Sequence, residues 1–211
     1  IAGVFIAAFG VNIFMKKVLL LTTLMLFSYV GVINAQQTRK EIREAKREAA
    51  KKRMEAEKAL EAHRDSVAFE QALAALKEGS FVLEADNIMF PTGITRYVTS
   101  STNYVQVNNG EGIVQTSFSN FTYSPGPNGL GGVTVQGTIS EPEIRTDKHG
   151  NVFYSYSITG IAISATISIT LTGGTNEASA YISPNFNGNN ITMTGHIVPY
   201  DESVVFQGNT W

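Results

Sequence analysis

The chain has no cysteine among its 211 residues. That absence excludes a disulfide-stapled scaffold, a cysteine-ligated zinc site, a thiol nucleophile and a lipid-modified N-terminal Cys. Surplus charge is missing as well. The 16 Lys/Arg against 18 Asp/Glu leave a formal net charge of -2, so nucleic acid is not an expected partner. Histidine occurs three times. Glycine and proline are absent from residues 36–76, which leaves nothing there to interrupt a helix.

What is present falls into three compositional blocks. Met15-Lys16-Lys17, an apolar run over residues 18–33, and Asn34-Ala35-Gln36 follow the order of a secretory signal: basic start, apolar stretch, small residue, polar beginning. The expected cleavage lies between Ala35 and Gln36. The run is short for a membrane span of about 20 residues, so no retained transmembrane span is expected after cleavage. The expected location is the periplasm, or otherwise exported into a Gram-negative envelope. Residues 1–14 are almost wholly apolar and precede the first Met. They read as an over-extended reading frame, with the signal peptide at 15–35.

Residues 36–78 carry 11 Lys/Arg and 9 Asp/Glu in an Ala-rich setting of high helix propensity. Pairs such as Glu48 with Lys52 and Lys51 with Glu55 stand at i,i+4, where opposite charges support a helix. The apolar stripe is thin and mostly alanine, so residues 36–66 are expected to form a solvated helical stalk. The last turns differ. Val67, Ala68, Ala72, Leu73 and Leu76 make an apolar face, and Gly79 is placed to cap the helix. A short docking helix is therefore expected to open an all-β domain over 67–211.

Past Gly79 only three basic residues face nine carboxylates, and the periodicity changes from helical to alternating. From Ile161 to Leu171 the odd positions are mainly apolar and the even positions small or hydroxylic. That is the pattern of an antiparallel sheet with one packed face. Turn signals such as Asn108-Asn109-Gly110 and Thr172-Gly173-Gly174 punctuate similar runs. About eight strands result, near 81–89, 103–107, 113–118, 132–141, 151–159, 161–171, 178–183 and 191–198, with a further short run at 204–206. Pro142 marks an edge or a bulge. The expected class is mainly β, an antiparallel β-sandwich or small barrel of about eight strands preceded by a long charged α-helix.

The junction Ala75-Leu76-Lys77-Glu78-Gly79-Ser80-Phe81-Val82-Leu83-Glu84-Ala85-Asp86 resembles a family of exported Gram-negative envelope proteins, domain of unknown function 4251. So do Ser101-Thr102-Asn103-Tyr104-Val105-Gln106-Val107, Gly112-Ile113-Val114-Gln115 and the pieces at Gly137-Thr138-Ile139 and Gly195-His196-Ile197. The resemblance covers most of residues 67–200. It implies an exported all-β domain and carries over no catalytic residue.

Candidate chemistry is sparse. His63, His149 and His196 fall in a helix, a turn and a strand, so no metal site and no cofactor is expected. No Gly-x-Ser-x-Gly elbow is present. The pairs Glu84/Asp86 and Glu141/Glu143 would serve acid–base catalysis only inside a cleft, and alternation with Phe81, Leu83 and Ala85 places Glu84 and Asp86 toward solvent. No catalytic residue is assigned. Phe121 and Tyr123, beside the glycine-rich stretch 125–132, are the candidate ligand-binding residues, because aromatic walls next to loops suit a pocket mouth. The chain is thus expected to be a non-enzymatic binding module for a small apolar or amphipathic molecule. The alternative is a structural or adaptor protein presenting its β domain on a helical stalk to an envelope protein.

Overall fold

The computed structural model describes residues 2–118, 126–160, 164–185 and 190–210, with side chains from residue 40 onward. Two compact units divide at Leu60 and Glu61. The described residues of the first, 2–60, are all helical and belong to α1 (Ala2–Glu78). Every side chain from Lys40 to Leu60 is exposed, and Lys51 meets Glu55 at 3.8 Å. Exposed i,i+4 pairs of this kind add only a few tenths of a kcal/mol. Among the described residues, no helix is long and apolar enough to cross a membrane.

The second unit holds the end of α1 and nine strands: β1 (Phe81–Met89), β2 (Thr95–Tyr97), β3 (Tyr104–Asn108), β4 (Glu111–Gln115), β5 (Thr134–Thr146), β6 (Val152–Thr159), β7 (Ser164–Leu171), β8 (Glu177–Pro184) and β9 (Ile191–Pro199). All pair antiparallel with their neighbours, and β9 returns to β1. The sheet thereby closes into an eight-stranded barrel with β2 as an additional strand. Closure settles the choice between sandwich and barrel. β2 had no counterpart in the sequence reading. It lies on the same edge of β1 as β3: Asn87 faces Tyr97, and Leu83 faces Val105. The Ser100–Thr102 turn between them breaks what would otherwise be one strand.

Alternation decides which side chains enter the barrel. Leu83, Val105, Val152, Tyr156, Ile167, Ile169, Leu171, Ala180, Met193 and Ile197 form one buried cluster. An eight-stranded barrel is just wide enough for side chains to fill it, and here large ones do. Tyr156, Phe81, Leu83, Ile88, Ile158 and Ile167 are all below 2% exposure. Ile161 and Ile163 lie outside the described residues. Along β1 the rhythm slips at a bulge between Ala85 and Asn87, so Ala85 and Ile88, three apart, are both buried. Opposite the bulge stands Gly195, where a Cβ would collide with the Glu84 carbonyl and the Ala85 backbone.

The end of α1 closes into the same core. Phe69, Ala72, Leu73 and Leu76 recur at helical spacing and pack, with Ala75, among the barrel's buried residues. Val67, assigned to that face from sequence, is 43% exposed; the buried stripe is rotated toward Phe69. Gly79 (φ 71°) ends the helix. Its N–H donates to the Leu76 carbonyl and the Ser80 N–H to the Ala75 carbonyl, the paired bonds of a Schellman cap.

Residues 204–206 are not a strand. Beyond a short turn at Tyr200–Glu202 the chain lies as a strap across the outer wall of β1, β3 and β4. Phe206 donates its N–H to the Ser101 carbonyl at 2.7 Å. Gln115, fully buried, donates from Nε2 to the Phe206 carbonyl and accepts at Oε1 from the Gly208 N–H. These are single anchors, not a ladder. Under the strap Val82, Tyr104 and Ile113 form a second, smaller buried cluster.

Candidate functional site

β5 is 13 residues long while its neighbour β4 has five. Pairing between them stops at Thr138 facing Glu111, with one more bond from the Ile139 N–H to the Gly110 carbonyl. From Ser140 onward that edge of β5 has no strand beside it among the described residues. Its other edge continues along β6, with a register shift between Ser140 and Glu143. Pro142 sits in that shift, so it occupies a bulge and an open edge together. Both features discourage pairing with a foreign strand, since Pro offers no N–H and a bulge twists the edge away.

The overshoot opens a cleft at the barrel end where β1 begins. Ile144 faces Tyr154 across the ladder and therefore shares its inward side. Tyr154 is buried at 6%, its ring 5.4 Å from Phe81 in an edge-to-face contact, whereas Ile144 remains 41% exposed. Leu76, Ile139, Pro142, Ile144 and Tyr154 supply the apolar lining of a cavity of about 410 Å³. Lys77, Glu78, Ser80 and Asn109 supply its polar rim. This volume falls within the roughly 300–1,000 Å³ typical of small-molecule sites.

Phe121 and Tyr123 lie outside the described residues. Ala35 and Gln36 fall within the backbone of α1. Of the acid pairs, Asp86 is exposed and its carboxylate accepts from His196 Nδ1 at 3.1 Å in the tautomer that carries the proton there. Glu84 is half-buried, which the sequence reading placed in solvent; the strap covers it, and Ser203 donates its hydroxyl to Glu84 at 2.7 Å. Glu143 pairs with Arg145 on the solvated part of β5. Glu84 lies under the strap outside β1, whereas Glu141 and Glu143 are exposed on β5, with β3 and β4 between the two strands. His63 and His149 are exposed, and no group of three or more His, Asp or Glu gathers among the described residues.

Two hydroxyls stand out electrostatically. Tyr104 and Tyr156 are each buried with no hydrogen-bond partner among the described residues. Burial pushes the Tyr104 phenol up to about 12, helped by Tyr200. It pushes Tyr156 higher still, with Tyr154 adding to the effect. Both remain neutral donors with no acceptor among the described residues, a situation costing about 1–3 kcal/mol each.

The cleft was not assigned from sequence. Its signal was Glu141-Pro142-Glu143-Ile144, where the β5 alternation resumes after proline, but exposure of Ile144 depends on how far β4 reaches.

A family model described as Domain of unknown function (DUF4251) matches residues 63–197. A crystallised DUF4251 family protein from Bacteroides eggerthii is similar over 71% of this chain and 99% of its own, with 51% identity and a TM-score of 0.60. No curated protein matches. The family match spans more than half of the residues, and the chain belongs to the DUF4251 family.

Proposed function

We propose that this DUF4251 member is a non-enzymatic binding module, and that its ligand is a small amphipathic molecule seated in the cleft at the end of the barrel, not in the barrel's lumen. The observation that carries this reading is Ile144. It belongs to the inward face yet stays 41% exposed, beside an apolar wall rimmed by polar groups. A filled interior favours the mouth over the lumen, because a lumen ligand would have to displace side chains packed at crystal-like density. An apolar tail against Ile139, Ile144 and Tyr154 loses water, while a polar head meets Lys77 or Asn109. The order of residues 15–36 supports delivery of this module to a Gram-negative envelope, cleaved between Ala35 and Gln36.

Titration of the full chain with dodecanoate, followed by tryptophan and tyrosine fluorescence and native mass spectrometry, tests the reading. Ile144→Asp is expected to weaken binding about tenfold or more, as a charge placed on an apolar contact should, with little change in melting temperature. Dodecanoate that does not bind, or that binds equally well to the variant, overturns it.

A second reading, an adaptor for an envelope protein, is supported by a different observation. Ile42, Met54 and Leu60 on the charged helix are each at least half exposed, so that helix carries apolar side chains with no cover from its own unit. Crosslinking in cells before and after deletion of residues 36–60 distinguishes the two: an adaptor loses its partner, whereas a binding module keeps its dodecanoate affinity.

A further inference from the structure

Where the strap leaves the Tyr200–Glu202 turn it does not lie flat on the wall beneath it. A second cavity, of about 400 Å³, remains between strap and barrel. Tyr104 and Gln106 border it from β3, and Tyr200, Asp201, Ser203 and Gln207 from the turn and strap. Its chemistry is unlike that of the cleft. Amides, hydroxyls and one carboxylate dominate, and Val82 and Val205 provide the small apolar part.

The composition of this lining restricts what fits. Among the described residues no Lys, Arg or His borders the cavity, so an anion would meet there only the Asp201 carboxylate and, behind Ser203, Glu84. A hydrocarbon would leave the amides and hydroxyls without water or partner. A neutral molecule rich in hydroxyls meets neither difficulty. Ser203 and Gln207 are already held in place: Ser203 donates to Glu84, and Gln207 Nε2 donates to Gln136 Oε1 at 3.1 Å. Each keeps an oxygen able to accept. The Gln106 amide forms no side-chain bond among the described residues, and Tyr200, 37% exposed, offers a ring edge and face as well as a hydroxyl.

An independent observation points to the same place. Tyr104 is completely buried, and its hydroxyl has no partner among the described residues. Buried polar groups are rarely left in that state without a reason. A phenylalanine would satisfy packing alone. Tyr104 borders this cavity, and Val205 of the strap packs against the small cluster to which Tyr104 belongs.

We propose that the cavity between the C-terminal strap and the outer wall of β3 is a binding site for a small neutral saccharide, with Tyr104, Gln106, Tyr200 and Gln207 as its hydrogen-bonding residues. The site is separate from the cleft at Ile144 and does not depend on the reading given to that cleft.

Saturation-transfer NMR on the full chain with glucose, galactose and N-acetylglucosamine as probes tests it. Transfer to at least one of the three is expected. Gln106→Ala and Tyr200→Ala should each weaken binding about tenfold, the order expected for loss of a good hydrogen bond. Tyr104→Phe should weaken binding while the melting temperature holds or rises, a combination that a purely structural tyrosine would not produce. Ile144→Asp should leave the sugar signal intact, so failure of either site is read separately. Absence of transfer from all three sugars overturns the proposal. So does transfer that persists at full strength in the Gln106→Ala, Tyr200→Ala and Tyr104→Phe variants.

Discussion

β1 and β5 are both strands of one barrel, both alternate, and both contain a bulge, yet they live in different surroundings. β1 is paired along its edges by β9, β3 and β2. Near its start both faces are covered: Phe81 and Leu83 point into the core, and Val82 lies under the strap, all at 0% exposure. β5 begins in the same way, with Thr134 buried, but from Ser140 to Thr146 it is exposed and, among the described residues, has β6 alone beside it. The difference shows that a sheet's alternating pattern sets the direction of a side chain, while burial depends on what is laid over that direction. Phe81 and Ile144 both point inward; only one of them is beneath other atoms.

This contrast is open to direct attack. The largest effect is expected for Phe81→Ala, a loss of about 3–5 kcal/mol in chemical denaturation, as for other aromatic side chains removed from a packed core. Phe153→Ala, on the outer face of the hairpin partner of β5 and 37% exposed, should cost less than about 1 kcal/mol. Equal losses for the two would mean that the overhang is covered in solution.

Gly195→Ala probes the same wall from β9. The added methyl meets the Glu84 carbonyl where two backbones approach closely, and a loss of about 1–3 kcal/mol is expected for such overpacking. A melting temperature equal to that of the parent protein would show that the bulge relaxes freely.

The cover on the outside of β1 can be loosened by Gln115→Leu. Its side chain holds both the Phe206 carbonyl and the Gly208 N–H. Their release should cost about 1–3 kcal/mol and raise amide exchange at residues 203–208 before it does so in the barrel. Uniform exchange across the chain would contradict a separately anchored strap.

The smallest effect belongs to the tip of the β5–β6 hairpin. Asp147 accepts from the His149 N–H, the Asn151 N–H and the Asn151 side chain, and the Asn151 side-chain bond leads in holding its carboxyl below the usual carboxylate range. A lowered folded pKa stabilises above the unfolded pKa, and that stabilisation is lost as pH falls through the folded value. Asp147→Ala should therefore melt slightly below the parent at neutral pH, the two curves converging in strong acid. A gap that is constant with pH would remove the carboxylate from the account.

Much of this molecule can be read along the chain because its signals are local. The range 81–89 expected for β1 is the range observed, since alternation and flanking turn residues act within a few positions. The Gly79 cap is equally local. Other features depended on distant partners. β2 is three exposed residues whose strand character comes from pairing with β1. Glu84 alternates like a surface acid and is half-buried because the strap, more than a hundred residues later, crosses it. Val67 was misplaced on the buried helix face because several rotations of a short, alanine-rich stripe fit the spacing, and only contact with the core selects one.

The candidate sites follow the same rule. The apolar wall of the cleft is made of residues that any core strand would contain, so nothing in their order distinguishes Ile144 from Ile169. Residue order alone was enough for the mostly β character, for a helix uninterrupted up to Gly79, and for which side chains along most strands share a face, because hydrogen-bonded backbone geometry repeats every two or 3.6 residues. Closure of the sheet, the length by which β5 outruns β4 and the path of the strap came only with the three-dimensional arrangement. Each of those is a relation between segments far apart in the chain, and no local periodicity encodes how far a neighbouring strand extends.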